Sequence, residues 1–71
     1  MNQTAYFIKD RTDTLLFEAC QYPATATTAV AWIRRAMTWA EKNNQKWLVD
    51  YLHCTAMLFL MKQMQRALKA A

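Results

Sequence analysis

The chain has 71 residues, 55% of them hydrophobic, with nine Lys and Arg against five Asp and Glu for a net charge of +4. That length predicts one small helical domain over residues 1–71, which would bury only about 60% of the surface its unfolded chain exposes and so calls for a staple or a partner. Glycine is absent, which excludes phosphate-cradling loops and glycine-dependent dinucleotide sites, where the backbone must turn sharply and approach the ligand.

With one proline, no glycine and abundant Ala, Leu, Met, Gln and Lys, the composition predicts an all-α protein. Pro23 divides the chain, and the residue before a proline is pushed out of the helical region, so the first element is expected to end near Gln21 or Tyr22. Ile8, Leu15 and Ala19 fall on one helical face with Thr12 between them, so a helix from about Thr4 to Gln21 fits, with Thr4 a candidate cap. Strand formers crowd "TAYFIK", and Asp10, Thr12 or Asp13 could each start a shorter helix. The expectation is a short N-terminal helix covering at least Leu15 to Cys20, with residues 4–9 open between helix and strand.

The second element is clearer. Thr25, Thr27 or Thr28 can cap it, and Ala26, Ala29, Val30, Trp32, Ile33, Ala36, Met37, Trp39 and Ala40 gather on one half of its wheel. Arg34, Arg35, Thr38, Glu41 and Lys42 gather on the other. The apolar arc spans about 180°, wider than the roughly 100° stripe of an ordinary surface helix. "EKNNQK" then reads as a turn, because asparagine tolerates the left-handed conformation that closes a helix when glycine is missing.

A third helix is expected from about Gln45 to Ala70, roughly 39 Å long at 1.5 Å per residue, forming a long antiparallel hairpin with the second. It is apolar on three sides. Trp47, Tyr51, Cys54 and Leu58 occupy one, Leu48, Leu52 and Phe59 another, and Val49, Ala56, Leu60 and Ala67 the third. No single neighbouring helix covers all three. The uncharged run from Cys54 to Met61 is far shorter than the roughly 20 residues a membrane span needs, and its middle has too little polarity on any face for an interfacial helix.

Catalytic chemistry finds little footing. Asp50 and His53 are three apart and can meet on the helix surface, but Cys54 points about 100° away from His53, and nothing supplies an oxyanion site. Cys20, His53 and Cys54 lack a fourth ligand at zinc spacing. The protein is therefore read as no enzyme, without cofactor or metal. Met1–Thr4 lacks the basic start of a signal peptide, so the two cysteines are expected as free thiols in the cytoplasm.

What remains is association. Two copies are expected to pair into a bundle, and a larger protein is expected as the target. Trp32, Arg35 and Trp39 on the second helix and Trp47, Tyr51, Met57, Leu60, Met61 and Met64 on the third are the candidate interface, since Trp and Arg recur among hot spots and Met adapts to irregular surfaces. The alternative partner is nucleic acid, bound by a basic dimer through Arg34, Arg35, Lys42 and Lys46. In format the chain resembles small phage- or plasmid-borne regulators such as antirepressors, and hairpin co-chaperones of secretion systems. That likeness implies a regulatory inhibitor or adaptor that masks a protein surface.

Overall fold

The computed structural model describes residues 2–70. Three helices account for nearly all of them: α1 Gln3–Gln21, α2 Ala26–Lys42 and α3 Lys46–Ala70, with a single 3-10 turn, Pro23–Thr25, between the first two. No strand occurs among the described residues, and the fold is all-α.

α1 is not short. Its 19 residues exceed the 17 of α2, and it begins before the stretch left open between helix and strand. Asn2, rather than Thr4, is the cap: its side-chain oxygen accepts from the backbone N–H groups of Thr4 (3.0 Å) and Ala5 (3.3 Å). Local strand preference in "TAYFIK" is overridden by packing, because a helix here places Ala5 and Ile8 in the core alongside Thr12 and Ala19. Tyr22 ends the helix outside the helical region ahead of Pro23 (φ −125°, ψ 87°), since the ring of a following proline disfavours the helical conformation.

None of the three threonines considered as caps for α2 serves through its side chain. Thr25 occupies the position, but its hydroxyl donates backwards to the Tyr22 carbonyl at 2.8 Å. At the other end of α2 the asparagines act as expected of them. Asn43 donates through its backbone (3.0 Å) and its side chain (2.8 Å) to the Trp39 carbonyl. Asn44 takes φ 55°, and the Gln45 N–H closes onto Ala40 O at 2.9 Å.

The helices form a rod with extents of 44 × 17 × 16 Å, and its core falls into two clusters. One joins Ala5 and Ile8 of α1, Ala36 and Ala40 late in α2, and Leu48 and Leu52 early in α3, with Trp32, Met37, Trp39 and Val49 packed against it. The other joins Ala19 late in α1, Ala29 early in α2 and Phe59 in α3, flanked by Leu15, Leu16, Cys20 and Ala26. Alanine at the contacts lets the backbones approach closely while Leu48, Leu52 and Phe59 fill the space between them. The buried Thr12 is satisfied on both sides: its hydroxyl donates to Ile8 O (2.7 Å) and accepts from the Trp32 indole N–H (2.9 Å).

Candidate functional site

α3 carries the candidate surface, because it is committed to the core on one side only. Leu48, Leu52 and Phe59, spaced four and then seven residues apart, lie on the face turned to α1 and α2 and are at most 5% exposed. The opposite face in its C-terminal half holds Met57, Met61, Met64 and Leu68, which are 53%, 54%, 65% and 76% exposed. Leu58 and Leu60 flank that row and are exposed too. Six of the chain's exposed large apolar side chains thus fall within about three turns of one helix.

The interface residues chosen from sequence separate into two groups. Met57, Leu60, Met61 and Met64 stand together on the exposed side of α3, and Arg35 is exposed on α2. Trp32, Trp39 and Tyr51 are half-buried and so stand less open than the α3 group. Both indoles pack on the first core cluster, and the Trp32 N–H is already used by Thr12. Trp47 is exposed but stacks on Tyr6 with ring centroids 5.1 Å apart, and donates to the Gln45 side chain at 3.3 Å. Leu68 belongs to the α3 strip although it was not among the selected residues. The spacing of four, three and four from Met57 through Met61 and Met64 leads straight to it.

Tyr51 ties α3 to α1. Its hydroxyl donates to Asp13, whose other carboxylate oxygen accepts from Lys9 Nζ at 3.0 Å. The same ammonium stands 4.9 Å from the centre of the Tyr51 ring. The hydrogen bond to Asp13, then partial desolvation, raises the Tyr51 pKa above the ordinary phenol value, and the same carboxylate raises that of Lys9. Both shifts extend the bonded protonation state of the phenol and the ammonium toward more alkaline pH. Farther along, Arg66 of α3 donates to the Cys20 carbonyl in the last turn of α1, a favoured place for a cation.

Between α1 and α3 lies a groove of about 380 Å³ walled by Leu16, Phe17, Thr55, Leu58 and Phe59, with Cys20 in its lining and Lys62 at its rim. A smaller apolar cleft of about 210 Å³ between α2 and α3 is lined by Val30, Ile33, Arg34, Ala56, Phe59 and Leu60. Close by, the Gln63 amide nitrogen is buried without a hydrogen-bond partner.

Of the basic residues proposed for nucleic acid, Arg34 and Arg35 line one shallow depression on α2 with Thr27, Val30 and Ala31, and each also reaches a second hollow, Arg34 the α2–α3 cleft and Arg35 that between α1 and α2 with Phe7 and Trp39. Lys46 shares a depression with Glu41 and Asp50 at the turn, and Lys42 is exposed at the end of α2. Asp50, His53 and Cys54 are all exposed, and both cysteines are free thiols. Among the described residues no group of three or more His, Cys, Asp or Glu is placed to hold a metal ion. No described helix is long and apolar enough to cross a membrane.

These features define a small all-α protein of three packed helices whose third helix is covered on one face and bare on the other. No protein-family model, curated protein or solved structure matches the chain, so a functional reading rests on the residues and their placement.

Proposed function

We propose that the protein is a non-enzymatic protein-binding module, a small regulatory inhibitor or adaptor that acts by covering an apolar segment of a larger protein. The observation that carries this reading is the apolar groove between α1 and α3, where the exposed Phe17 and Leu58 continue the uncovered apolar surface of the C-terminal half of α3. Single exposed apolar residues are ordinary on a protein surface, but a contiguous patch of them marks an interaction site. The groove between α1 and α3 gives the target a place to insert side chains, since Leu16, Phe17, Leu58 and Phe59 form apolar walls. Lys62 and Arg66 lie beside it, and α3 has no acidic residue after Asp50. The groove therefore suits an amphipathic helix whose apolar stripe is edged by Asp or Glu. The proposal places the protein in the cytoplasm as one domain, in the format of a phage- or plasmid-type regulator.

The test compares baits in an extract of the source cells. Wild-type protein should retain a target that Leu58→Glu loses, and the purified target should bind the Arg34→Ala/Arg35→Ala variant as well as it binds wild type. Equal retention by Leu58→Glu would remove the groove from consideration. The nucleic-acid alternative makes the opposite prediction: binding to a labelled duplex that falls steeply with salt and disappears with the two arginines.

A further inference from the structure

We infer that two copies of the chain pair through α3, antiparallel, along the row Met57, Met61, Met64 and Leu68. This goes beyond the groove proposed for a target, because the row lies on the side of α3 facing away from α1 and α2, whereas the groove lies between α1 and α3.

Spacing is the first argument. Cys54, Met57, Met61, Met64 and Leu68 follow one another at intervals of three, four, three and four, and all five are exposed. Alternation of three and four is the seam of a helix that packs lengthwise on a second helix, each side chain entering a gap on the facing surface. A stripe serving only its own fold would sit on the inner face, where Leu48, Leu52 and Phe59 already do that work.

Area is the second. Met57, Leu60, Met61, Met64 and Leu68, each more than half exposed, together present on the order of 600 Å² on each copy, most of the ~800 Å² per partner of a standard stable interface. The row is uncharged, so it can face itself across a two-fold axis without burying an unpaired ion.

Charge sets the direction. Going back along the same face, the row gives way to His53 and Asp50, four and seven residues before Met57. A parallel pair in register would bring Asp50 against Asp50 of the other copy. It would also collect Lys62, Arg66 and Lys69 of both copies at one end, with no acid on α3 beyond Asp50 to offset them. Antiparallel pairing sets Met61 opposite Met64 and Met57 opposite Leu68. It leaves each Asp50 in water beyond the other helix's end, and it opposes the two helix dipoles.

The test uses the full chain. Sedimentation velocity at about 20 µM should give twice the 8.3 kDa of one copy, and Met61→Glu or Met64→Glu should return single copies with unchanged helical circular dichroism. Each glutamate, buried without a partner in the seam, should weaken pairing by about 100-fold or more. Phe7→Glu, an exposed residue on α1, should remain paired. A wild-type chain that stays single at 200 µM, or a Met61→Glu chain that pairs like wild type, overturns the proposal. Orientation is read in a background carrying Cys20→Ser and Cys54→Ser. A mixture of Met57→Cys and Leu68→Cys chains should cross-link on mild oxidation, while Met57→Cys alone should not. Cross-linking of Met57→Cys alone overturns the antiparallel arrangement. Because Leu58→Glu probes the groove and Met61→Glu the row, loss of the target and loss of the pair fail separately.

Discussion

The two ends of the rod are built from different material. Near the α2–α3 turn, six buried residues from all three helices form one cluster, and two tryptophans, Met37 and Val49 close over it. At the other end the buried set is Ala19, Ala29 and Phe59, two of them with a single side-chain carbon. Yet the second end carries more apolar side chains on its outside, Phe17, Tyr22, Val30 and the α3 residues from Met57 to Leu68, against Tyr6, Phe7 and Trp47 at the first. α3 runs through both regions, so one helix changes role along its length. Its first half holds the fold together, and its second half offers apolar surface that the chain itself leaves uncovered. The difference teaches that hydrophobicity alone does not locate a core; the count of facing helices does.

The comparison breaks most visibly at Leu52, which is fully buried. Leu52→Ala should cost about 3 kcal/mol, from the lost transfer of its methyl groups and the cavity left behind. That is a large part of the stability of so small a fold, and urea unfolding followed by circular dichroism measures it. If Leu52→Ala cost no more than an exposed leucine such as Leu60, the first cluster would not be the core.

A smaller effect is expected at Trp32. Trp32→Phe keeps most of the ring's packing but deletes the indole N–H that meets Thr12. Thr12 keeps its bond to the Ile8 carbonyl, so no polar atom is orphaned, and the loss should be about 1 kcal/mol. The same unfolding measurement applies. An unchanged stability would return Trp32 to the outer surface, as an anchor held for a partner.

How much of this was legible in the sequence follows from the same contrast. Pro23, Asn43 and Asn44 act through their own backbone, and the boundaries they set could be read from residue type. The three apolar sides of α3 were legible as well, but their roles were not, because Leu48 and Met57 are similarly greasy. What chooses between them is the position of Ala5, Ile8, Ala36 and Ala40 on other helices. The partner of the Trp32 indole was hidden for a related reason: the hydroxyl that accepts from it belongs to Thr12, twenty residues earlier. The full length of α1 fitted the apolar spacing, and only the strand formers of residues 4–9, whose preference yields to packing, left it open. The groove between α1 and α3 was beyond reach, since it needs two helices set side by side.

Tyr51 gives a pH-dependent version of the test, smaller again. Its folded-state pKa is raised, so the contribution of its bond to Asp13 is complete below the unfolded phenol value of about 10 and is lost as the pH rises through the higher folded value. Lys9 shifts in the same direction. Wild type should therefore exceed Tyr51→Phe by less than about 1 kcal/mol at pH 8, given the solvent screening of such a partly exposed site. That margin should shrink above pH 10 in melts recorded at both values. A margin that grew with alkali would mean that the phenol is not the donor.

The smallest effect is the most discriminating, and it falls at Met57. Met57→Ser removes a large apolar side chain two residues from the buried Phe59, on the same helix and in the same distal region. In a single copy most of that side chain already faces water, so its removal should change stability by no more than about 0.5 kcal/mol. The measurement is made at a concentration low enough to keep copies apart, because pairing would add stability by mass action. Repeated at tens of micromolar, the wild type should gain stability with concentration and the Met57→Ser chain should gain less. A loss at low concentration comparable to that of Leu52→Ala would mean that Met57 packs within its own chain. The distal half of α3 would then be core after all, and the distinction between the two ends would disappear.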